Sequence, residues 1–195
     1  ESDPVNHPIS LYAATKKSNE LMAHTYSHLY DIPSTGLRFF TVYGPWGRPD
    51  MAPMIFTDSI IKNKPINIFN NGNMARDFTY IDDVTEILFR LISKPATENK
   101  NFNFEFPSPE SSWCKHKVFN VGNSNKIKLM DFINEIEKAL GIKAKKNFLP
   151  MQDGDVQSTY SDSSNIENWV GFKPSTTISD GVRQFIVWYQ SFYQN

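Results

Sequence analysis

Cysteine is nearly missing from this sequence, since Cys114 is the single one among 195 residues. One cysteine excludes an internal disulfide framework. Its neighbours Trp113 and Lys115 form no recognised nucleophile motif, so we interpret Cys114 as an inert thiol. A low cysteine content is also typical of proteins in the reducing cytoplasm, and we expect a cytoplasmic protein here.

An excess of either charge is lacking as well. The 20 Lys and Arg residues and the 21 Asp and Glu residues give a formal net charge of -1. No apolar run approaches the roughly 20 residues that a membrane-spanning helix needs. We therefore predict neither a nucleic-acid partner nor a membrane partner. What the chain does have is 39% apolar and 14% aromatic residues, which is typical of a soluble globular protein with a well-packed interior.

The four histidines do not form a metal-ligand pattern. His24 and His28 lie one helical turn apart, but no cysteine pair or acid stands near them at a credible spacing, and His7 and His116 are remote in sequence. Zinc sites in proteins commonly combine histidines with cysteines or acidic residues at short, regular spacings. We therefore predict no metal site.

The first half of the chain alternates helices with short strands. Apolar residues recur at helical spacing over 10–28, between Pro8 and Pro33, and 35–43 is rich in β-branched and aromatic residues, which predicts a buried strand. A strand buried on both faces needs parallel neighbours. The pattern further predicts a loop at 44–53, a helix at 54–63, strands at 66–69 and 76–81, a turn at 70–73, and a helix at 84–93 with Asp82 and Asp83 at its start.

The second half begins with a polar stretch, 94–117, whose composition predicts a long segment on the surface. It continues with predicted strands at 118–122 and 145–149 and predicted helices at 128–140, 165–170 and 178–192. This order suits the tail of an α/β layer followed by a smaller α+β lobe.

The clearest chemistry lies in the pattern Tyr-Ala-Ala-Thr-Lys at residues 12–16. On a helix, residues i and i+4 project from one face about one turn apart. The ammonium group of Lys16 would stabilise the phenolate form of Tyr12, so the phenol could act as a general base near neutral pH. The same pattern also arises by accident on exposed helical turns, so the motif alone leaves both interpretations open.

Three further motifs follow in order. They are Arg-Phe-Phe-Thr-Val-Tyr-Gly-Pro at 38–45, Arg-Asp-Phe-Thr-Tyr-Ile-Asp-Asp-Val at 76–84, and Phe-Asn-Val-Gly at 119–122. With residues 12–16, at these spacings, the set resembles the extended short-chain dehydrogenase/reductase family of NAD-dependent epimerases and dehydratases over essentially all 195 residues. The stretches 11–17, 36–52 and 154–156 are most similar to the 4-epimerases that act on UDP-uronic acids.

The resemblance implies an α/β fold: the C-terminal part of a Rossmann-like doubly wound parallel sheet plus a smaller α+β substrate-binding lobe. Residues 1–50 would be the tail of the dinucleotide-binding domain, and 51–195 mainly the nucleotide-sugar lobe with some returns to the main sheet. The Gly-rich NAD loop and a third catalytic Ser or Thr are expected upstream of Glu1. We therefore expect this chain alone to be inactive, and by analogy with the family we expect a homodimer.

The resemblance also implies roles for single residues at the reacting centre. Tyr12 would take the proton from the sugar 4-hydroxyl, and Lys16 would bind the nicotinamide ribose, so both residues also contact the NAD cofactor. Thr41 and Arg48 would hold the sugar carboxylate. A planar guanidinium can clamp a carboxylate through two parallel hydrogen bonds, although pairing of Arg48 with Asp50 is the alternative.

Two more residues would bind the nucleotide of the UDP-sugar. Arg76 would contact the diphosphate, unless it forms an ion pair with Asp77 or Asp82 instead. Asp155 would lie near the ribose. Related sugar epimerases carry an arginine just before the Gly-Asp pair at 154–155, whereas this chain has Met-Gln-Asp at 151–153, which leaves that phosphate contact without its usual residue.

The implied reaction of the intact protein is 4-epimerisation of UDP-glucuronate to UDP-galacturonate through transient oxidation at C4 by NAD. A 4,6-dehydratase or a decarboxylase that makes a pentose is the alternative within the family, although Thr41 and Arg48 argue against a substrate with a neutral C6. The alternative of another class is a non-catalytic remnant or a module that only binds nucleotide sugars.

Overall fold

The computed structural model describes residues 1–193. Within them the helices are α1 (Leu11–Tyr30), α2 (Ala52–Ile61), α3 (Ile81–Ile92), α4 (Leu129–Leu140), α5 (Ser164–Val170) and α6 (Ile178–Tyr193). The strands are β1 (Ser34–Phe39), β2 (Thr41–Tyr43), β3 (Pro65–Ile68), β4 (Ala75–Tyr80), β5 (His116–Val121), β6 (Lys126–Lys128) and β7 (Lys145–Phe148).

The chain divides into two compact units, each assembled from three stretches. Unit 1 contains 1–39, 87–121 and 162–172, and unit 2 contains 40–86, 122–161 and the described residues from 173 onward. The functional division at residue 50, between a cofactor part and a sugar part, stays a prediction.

Unit 1 is built on a parallel pair of strands, β1 and β5, with Ser34 opposite His116 and Phe39 opposite Val121. Helix α1 begins where the Ser10 hydroxyl accepts the N–H of Ala13 at 3.1 Å, which satisfies a free donor of the first turn. It ends at Asp31, whose φ of 53° is left-handed. The predicted helix is confirmed and extends two residues beyond its expected end.

The predicted continuous strand at 35–43 is wrong. It breaks at Phe40, because the N–H of Val42 donates to the carbonyl of Phe40 at 3.0 Å and closes a three-residue turn. Before the break, β1 belongs to unit 1 and is half-buried rather than buried on both faces. After it, β2 belongs to unit 2 and pairs with β4.

Unit 2 holds the larger core. Strand β4 pairs in parallel with β2 and antiparallel with β6, while β3 and β7 form a separate parallel pair. The rings of Phe78 and Phe132 stack with centroids 4.2 Å apart, and Tyr43 meets both rings edge-on. Side chains from α2, α4 and α6 complete this core. Three parallel pairs and one antiparallel pair confirm the predicted mixed α/β class.

Most local predictions are confirmed with small shifts of their limits. The turn at 70–73 forms with left-handed φ values of 51° at Asn70 and 49° at Asn71. Asp82 and Asp83 occupy the first turn of α3, as expected for acids at a helix N-terminus. The polar stretch 94–117 is largely irregular until β5 begins at His116, with one isolated bridge between Ser111 and Lys117. In the part of the chain that the structure describes, no helix is long and apolar enough to cross a membrane.

Glu137 on α4 is a buried carboxylate, since its side chain is 1% exposed. It accepts hydrogen bonds from the ammonium groups of Lys143 (2.7 Å) and Lys146 and from the N–H of Ala144 (3.0 Å). Burial alone raises the pKa of Glu137, but these hydrogen bonds outweigh burial and lower the pKa to about 2. The charged form of Glu137 therefore stabilises the fold.

Replacing Glu137 by glutamine is expected to lower the free energy of unfolding at pH 7 by roughly 1–3 kcal/mol, the cost of weakening hydrogen bonds to a charged acceptor. Because its folded-state pKa of about 2 lies below the ordinary 4.5, the contribution of Glu137 is present above pH 4.5 and is lost as the pH falls toward 2. Urea unfolding of both chains at pH 7 and at about pH 3 measures the difference.

Glu135→Gln is the matched control. Glu135 lies on the same helix and pairs with Lys138 at 2.5 Å, but that lysine is 69% exposed. Exposed pairs of this kind contribute roughly 1 kcal/mol or less. An equal loss of stability in the two variants, or a Glu137 effect that does not shrink in acid, would contradict the assignment.

Candidate functional site

A cavity of about 640 Å³ opens within unit 2. Its volume suits a small-molecule ligand, for which pockets of roughly 300–1,000 Å³ are usual. Three of the residues singled out from the sequence line it, namely Thr41, Arg76 and Asp155. The other polar and charged lining residues are Asp50, Ser59, Asn67 and Gln152, and the remaining lining residues are apolar.

Arg76 is placed by β4, where it alternates with the buried Ala75 and Asp77. Its guanidinium donates to the carboxylate of Asp155 at 2.8 Å and to the carbonyls of Ala75 (3.0 Å) and Gln157 (3.2 Å). The ion pair of Arg76 is thus with Asp155 rather than with Asp77 or Asp82. Arg76 and Asp155 are remote in sequence but adjacent in the structure. The family resemblance implied that both bind the nucleotide of the UDP-sugar.

Thr41 reaches the cavity as the first residue of β2. In the parallel pair with β4 it stands opposite Phe78, one strand position beyond Asp77. The break of the chain at Phe40 sets this register, because it lets β2 start a new pairing after β1 ends. A half-buried hydroxyl at this place can donate or accept a hydrogen bond in the cavity.

Arg48 lies on a tight loop that follows β2. Gly44 has a φ of +137°, and a Cβ added there would come within 2.5 Å of Ile81, so the loop requires glycine at this position. The N–H of Gly47 donates to the carbonyl of Gly44 at 3.3 Å, and the N–H of Met51 donates to that of Arg48 at 3.1 Å. The predicted loop at 44–53 is confirmed around Arg48, although α2 already begins at Ala52.

The guanidinium of Arg48 pairs with Asp50 at 3.1 Å and approaches the sulfur of Met51 at 3.5 Å. Arg48 itself does not line the cavity, but both of these partners do. The side chains of the pair are 71% and 68% exposed, so the pair contributes roughly 1 kcal/mol or less. The guanidinium can therefore exchange Asp50 for a ligand carboxylate at small cost.

Trp46 is a loop residue that the sequence analysis missed. It has a φ of 62°, which is rare for a bulky residue. Its ring centroid lies 5.5 Å from that of Trp188 and 4.8 Å from that of Phe192, both on α6. These contacts hold the loop that carries Arg48. An aromatic residue amid glycines and prolines was the signal available in the sequence.

Tyr12 and Lys16 lie on α1, in unit 1. The ammonium nitrogen of Lys16 is 5.3 Å from the centroid of the Tyr12 ring, so the expected placement on one helical face is confirmed. The phenol is largely exposed, at 70%, and is accessible to a ligand. The arrangement places an exposed phenol beside an ammonium group, and its catalytic role stays a prediction.

His24, His28 and His116 contact neighbouring polar or aromatic side chains. The imidazole Nε2 of His24 lies 2.7 Å from the hydroxyl of Ser112, and His28 accepts the indole N–H of Trp113 at 3.3 Å. Burial, and next the neighbouring His24, lower the pKa of His116 to about 4. Among residues 1–193, no group of three or more His, Cys, Asp or Glu side chains is arranged to hold a metal ion.

Comparison with known proteins assigns the chain to a family. The family model described as the NAD-dependent epimerase/dehydratase family matches residues 1–105, just over half of the chain. The chain belongs to this family. Similarity to known proteins extends over nearly the whole chain, since Protein CapI of Staphylococcus aureus is 54% identical over 193 residues, which cover 99% of this chain and 58% of that protein. A probable UDP-glucuronate 4-epimerase of Rhizobium meliloti is 47% identical over 195 residues, covering 100% and 57%.

Solved structures extend the same relationship to the fold. The UDP-glucuronic acid 4-epimerase from Bacillus cereus, in complex with UDP-glucuronic acid and NAD, superposes with a TM-score of 0.82 at 32% identity. The match covers 99% of this chain and 56% of that one. The Rossmann-like α/β class predicted from the sequence is thereby confirmed. The chain spans a little over half the length of the curated relatives it matches.

Gln152, one of the three residues that precede the Gly-Asp pair at 154–155, lines the cavity. Arg76 is the one cationic side chain among the described residues that line the cavity. Among the lining residues, Arg76 is therefore the side chain that can directly neutralise the charge of an anionic ligand.

Proposed function

We propose that the whole protein is an NAD-dependent 4-epimerase of UDP-hexuronic acids that interconverts UDP-glucuronate and UDP-galacturonate. The observation that carries the proposal is the convergence of Thr41, Arg76 and Asp155 on one cavity, with Arg48 paired to a residue of the cavity wall. Identity of 47% to a probable UDP-glucuronate 4-epimerase supports the same substrate.

The chemistry of this chain centres on Tyr12. The phenolate accepts the proton of the sugar 4-hydroxyl, and Lys16 stabilises the phenolate and hydrogen-bonds the nicotinamide ribose. The cofactor NAD, bound by the whole protein, supplies a reversible hydride acceptor for C4. An accessible phenol beside an ammonium group on one helical face fits this task. After the 4-keto sugar turns over, Tyr12 returns the proton when the opposite face of C4 is reduced.

Thr41 and Arg48 bind the carboxylate of the sugar in this proposal. Oxidation at C4 places a ketone β to the C6 carboxylate, and such β-keto acids lose carbon dioxide readily. A guanidinium and a hydroxyl hold the carboxylate where the C5–C6 bond overlaps poorly with the carbonyl, which suppresses this loss. The same contacts favour a substrate with a charged C6 over one with a neutral C6.

Arg76 and Asp155 bind the nucleotide in this proposal. We place the diphosphate at Arg76 and the ribose hydroxyls at Asp155, so that the present ion pair between them opens when UDP enters. In this proposal residues 1–50 complete the NAD-binding domain, and 51–195 form mainly the sugar-nucleotide lobe. The proposed location is the cytoplasm, and the proposed assembly is a homodimer, which light scattering of the whole protein would test.

The decisive experiment supplies NAD and UDP-glucuronate to the whole protein and follows the products by proton NMR. Appearance of UDP-galacturonate up to an equilibrium ratio supports the proposal. A UDP-pentose as main product would assign a decarboxylase. In a parallel reaction supplied with a UDP-hexose, a 4-keto-6-deoxy product would assign a dehydratase. Binding of UDP-glucuronate without turnover would identify a binding module instead.

Replacing Arg76 by alanine is expected to weaken UDP binding about tenfold. Hydrogen bonds to a charged group contribute roughly 1.5–3 kcal/mol, and the loss of the pair with Asp155 offsets part of that. Isothermal titration calorimetry of the whole protein with UDP measures the effect.

Arg183→Ala is the control for Arg76. Arg183 lies on α6, pairs with Asp180 at 2.9 Å and does not line the cavity. This variant should bind UDP like the unchanged chain. If both variants bind UDP with the same affinity, Arg76 does not contact the diphosphate.

A further inference from the structure

Asp77 is a fully buried carboxylate on β4, next in sequence to Arg76. We propose that Asp77 is a positioning residue, which fixes the segment carrying Asp155 opposite Arg76 and so sets the affinity of the cavity for a nucleoside diphosphate. The inference rests on the proposed function, because it takes Arg76 to be the ligand of the diphosphate.

The carboxylate of Asp77 binds two separate parts of unit 2. One oxygen accepts the N–H of Asn123 at 2.9 Å. The other accepts both the N–H of Ser161 at 3.0 Å and its hydroxyl at 2.5 Å. Three donors on one buried carboxylate make a rigid anchor, since each would lose its partner if the segment moved.

The segment from Gln157 to Ser161 runs along the start of β4. The N–H of Ala75 donates to the carbonyl of Gln157 at 3.0 Å, and the N–H of Thr159 donates to the carbonyl of Ala75 at 3.1 Å. The N–H of Asp77 donates to the Thr159 hydroxyl at 3.3 Å. These bonds align the segment, and the carboxylate of Asp77 fastens its far end at Ser161.

The aligned segment determines where Asp155 lies. Asp155 precedes Gln157 by two residues, and the Arg76 guanidinium binds both the Asp155 carboxylate (2.8 Å) and the Gln157 carbonyl (3.2 Å). Arg76 therefore meets a segment whose position Asp77 fixes. A shift of this segment would change both the direction of the guanidinium and the strength of the ion pair that a diphosphate must displace.

The packing around Ser161 leaves the anchor no room to adapt. A Cβ added at Gly122 would come within 2.2 Å of the Ser161 hydroxyl and 3.1 Å of the Asp77 carboxylate. A backbone that passes this closely holds the serine against the carboxylate. A side chain longer than aspartate at position 77 would not fit, so the length of Asp77 matters as well as its charge.

Asp83 offers a matched comparison for a merely structural role. It is also a buried aspartate, 7% exposed, and its carboxylate accepts the N–H of Thr176 at 3.1 Å. The described residues after Lys173, the stretch that it holds, do not line the cavity. Loss of Asp83 should therefore lower stability without changing the recognition of a diphosphate.

The test compares the affinities of UDP and uridine in the whole protein by calorimetry, with thermal unfolding recorded for each variant. We expect Asp77→Asn to reduce the preference for UDP over uridine by about tenfold, the effect of one charge-assisted hydrogen bond. Asp83→Asn should keep the preference of the unchanged chain. Ser161→Ala, which removes one of the three donors, should reduce the preference about threefold.

The outcomes separate this inference from the proposed function. An unchanged chain that binds UDP no better than uridine would refute the diphosphate role of Arg76 itself. If the unchanged chain prefers UDP and both Asp77→Asn and Asp83→Asn keep that preference, the positioning role of Asp77 is overturned. An equal fall of the preference in both variants would also overturn it. If Asp77→Asn does not fold, Ser161→Ala against Asp83→Asn decides by the same criteria.

Discussion

Replacing Tyr12 by phenylalanine is expected to lower kcat for 4-epimerisation by the whole protein by roughly 10²–10⁴-fold, the usual contribution of a positioned general acid–base group. Phenylalanine keeps the ring and removes the hydroxyl that takes the proton from the sugar. The affinity for UDP should not change, because Arg76 and Asp155 stand in the other compact unit. A proton NMR time course with UDP-glucuronate and NAD measures kcat, and calorimetry measures UDP binding.

Tyr26→Phe is the control for this change. Tyr26 lies on the same helix as Tyr12 and has a similar exposure, 61% against 70%, so loss of its hydroxyl imposes a comparable structural change. It lacks the lysine one turn further along, since Tyr30 stands there. Full activity in both variants would remove Tyr12 from the reaction, whereas equal loss would show that the effect comes from the helix.

Local features of this chain were predictable from the sequence because they depend on short-range physics. The helical spacing of four residues places Lys16 beside Tyr12 whatever the rest of the fold does. In the same way, asparagine and glycine at 70–73 specify a turn, and Gly44 specifies a sharp loop after β2. The mixed α/β class follows from the alternation of such elements.

Long-range pairings were not predictable from single-sequence patterns. The partner of Arg76 was sought among the neighbouring Asp77 and Asp82, yet it is Asp155, 79 residues away. The anchor at Asp77 was missed because a charged residue inside a strand gives no sign of donors that arrive from Asn123 and Ser161. Such contacts are decided by the tertiary packing.

The break of the predicted strand at Phe40 is likewise decided by tertiary packing. The residues from Phe39 to Tyr43 are all favourable for a strand, so propensity gives no stopping signal at Phe40. The turn closed between Phe40 and Val42 is selected by the two pairings it permits, β1 with β5 and β2 with β4. That turn matters for the site, because it places Thr41 at the start of β2 and on the cavity wall.

Replacing Arg48 by histidine is expected to weaken binding of UDP-glucuronate to the whole protein by roughly 10–100-fold, because a bidentate, charge-assisted contact to the carboxylate is lost. Binding of UDP itself should be unchanged, since UDP carries no carboxylate. Part of the turnover should shift to a UDP-pentose and carbon dioxide, because the carboxylate of the 4-keto sugar is no longer held out of overlap with the ketone. Calorimetry and proton NMR measure the affinities and the products.

Arg183→His is the matched control, since both arginines are 71% exposed and each pairs with a nearby aspartate. It should keep the affinity for UDP-glucuronate and should yield no pentose. Unchanged affinity and an unchanged product in Arg48→His would exclude Arg48 from the carboxylate site. A loss of affinity for both UDP and UDP-glucuronate would instead mean that the loop held by Trp46 supports the whole cavity. Weaker binding of UDP-glucuronate alone, with pentose formed, would show that one exposed arginine both selects the uronic acid and protects it.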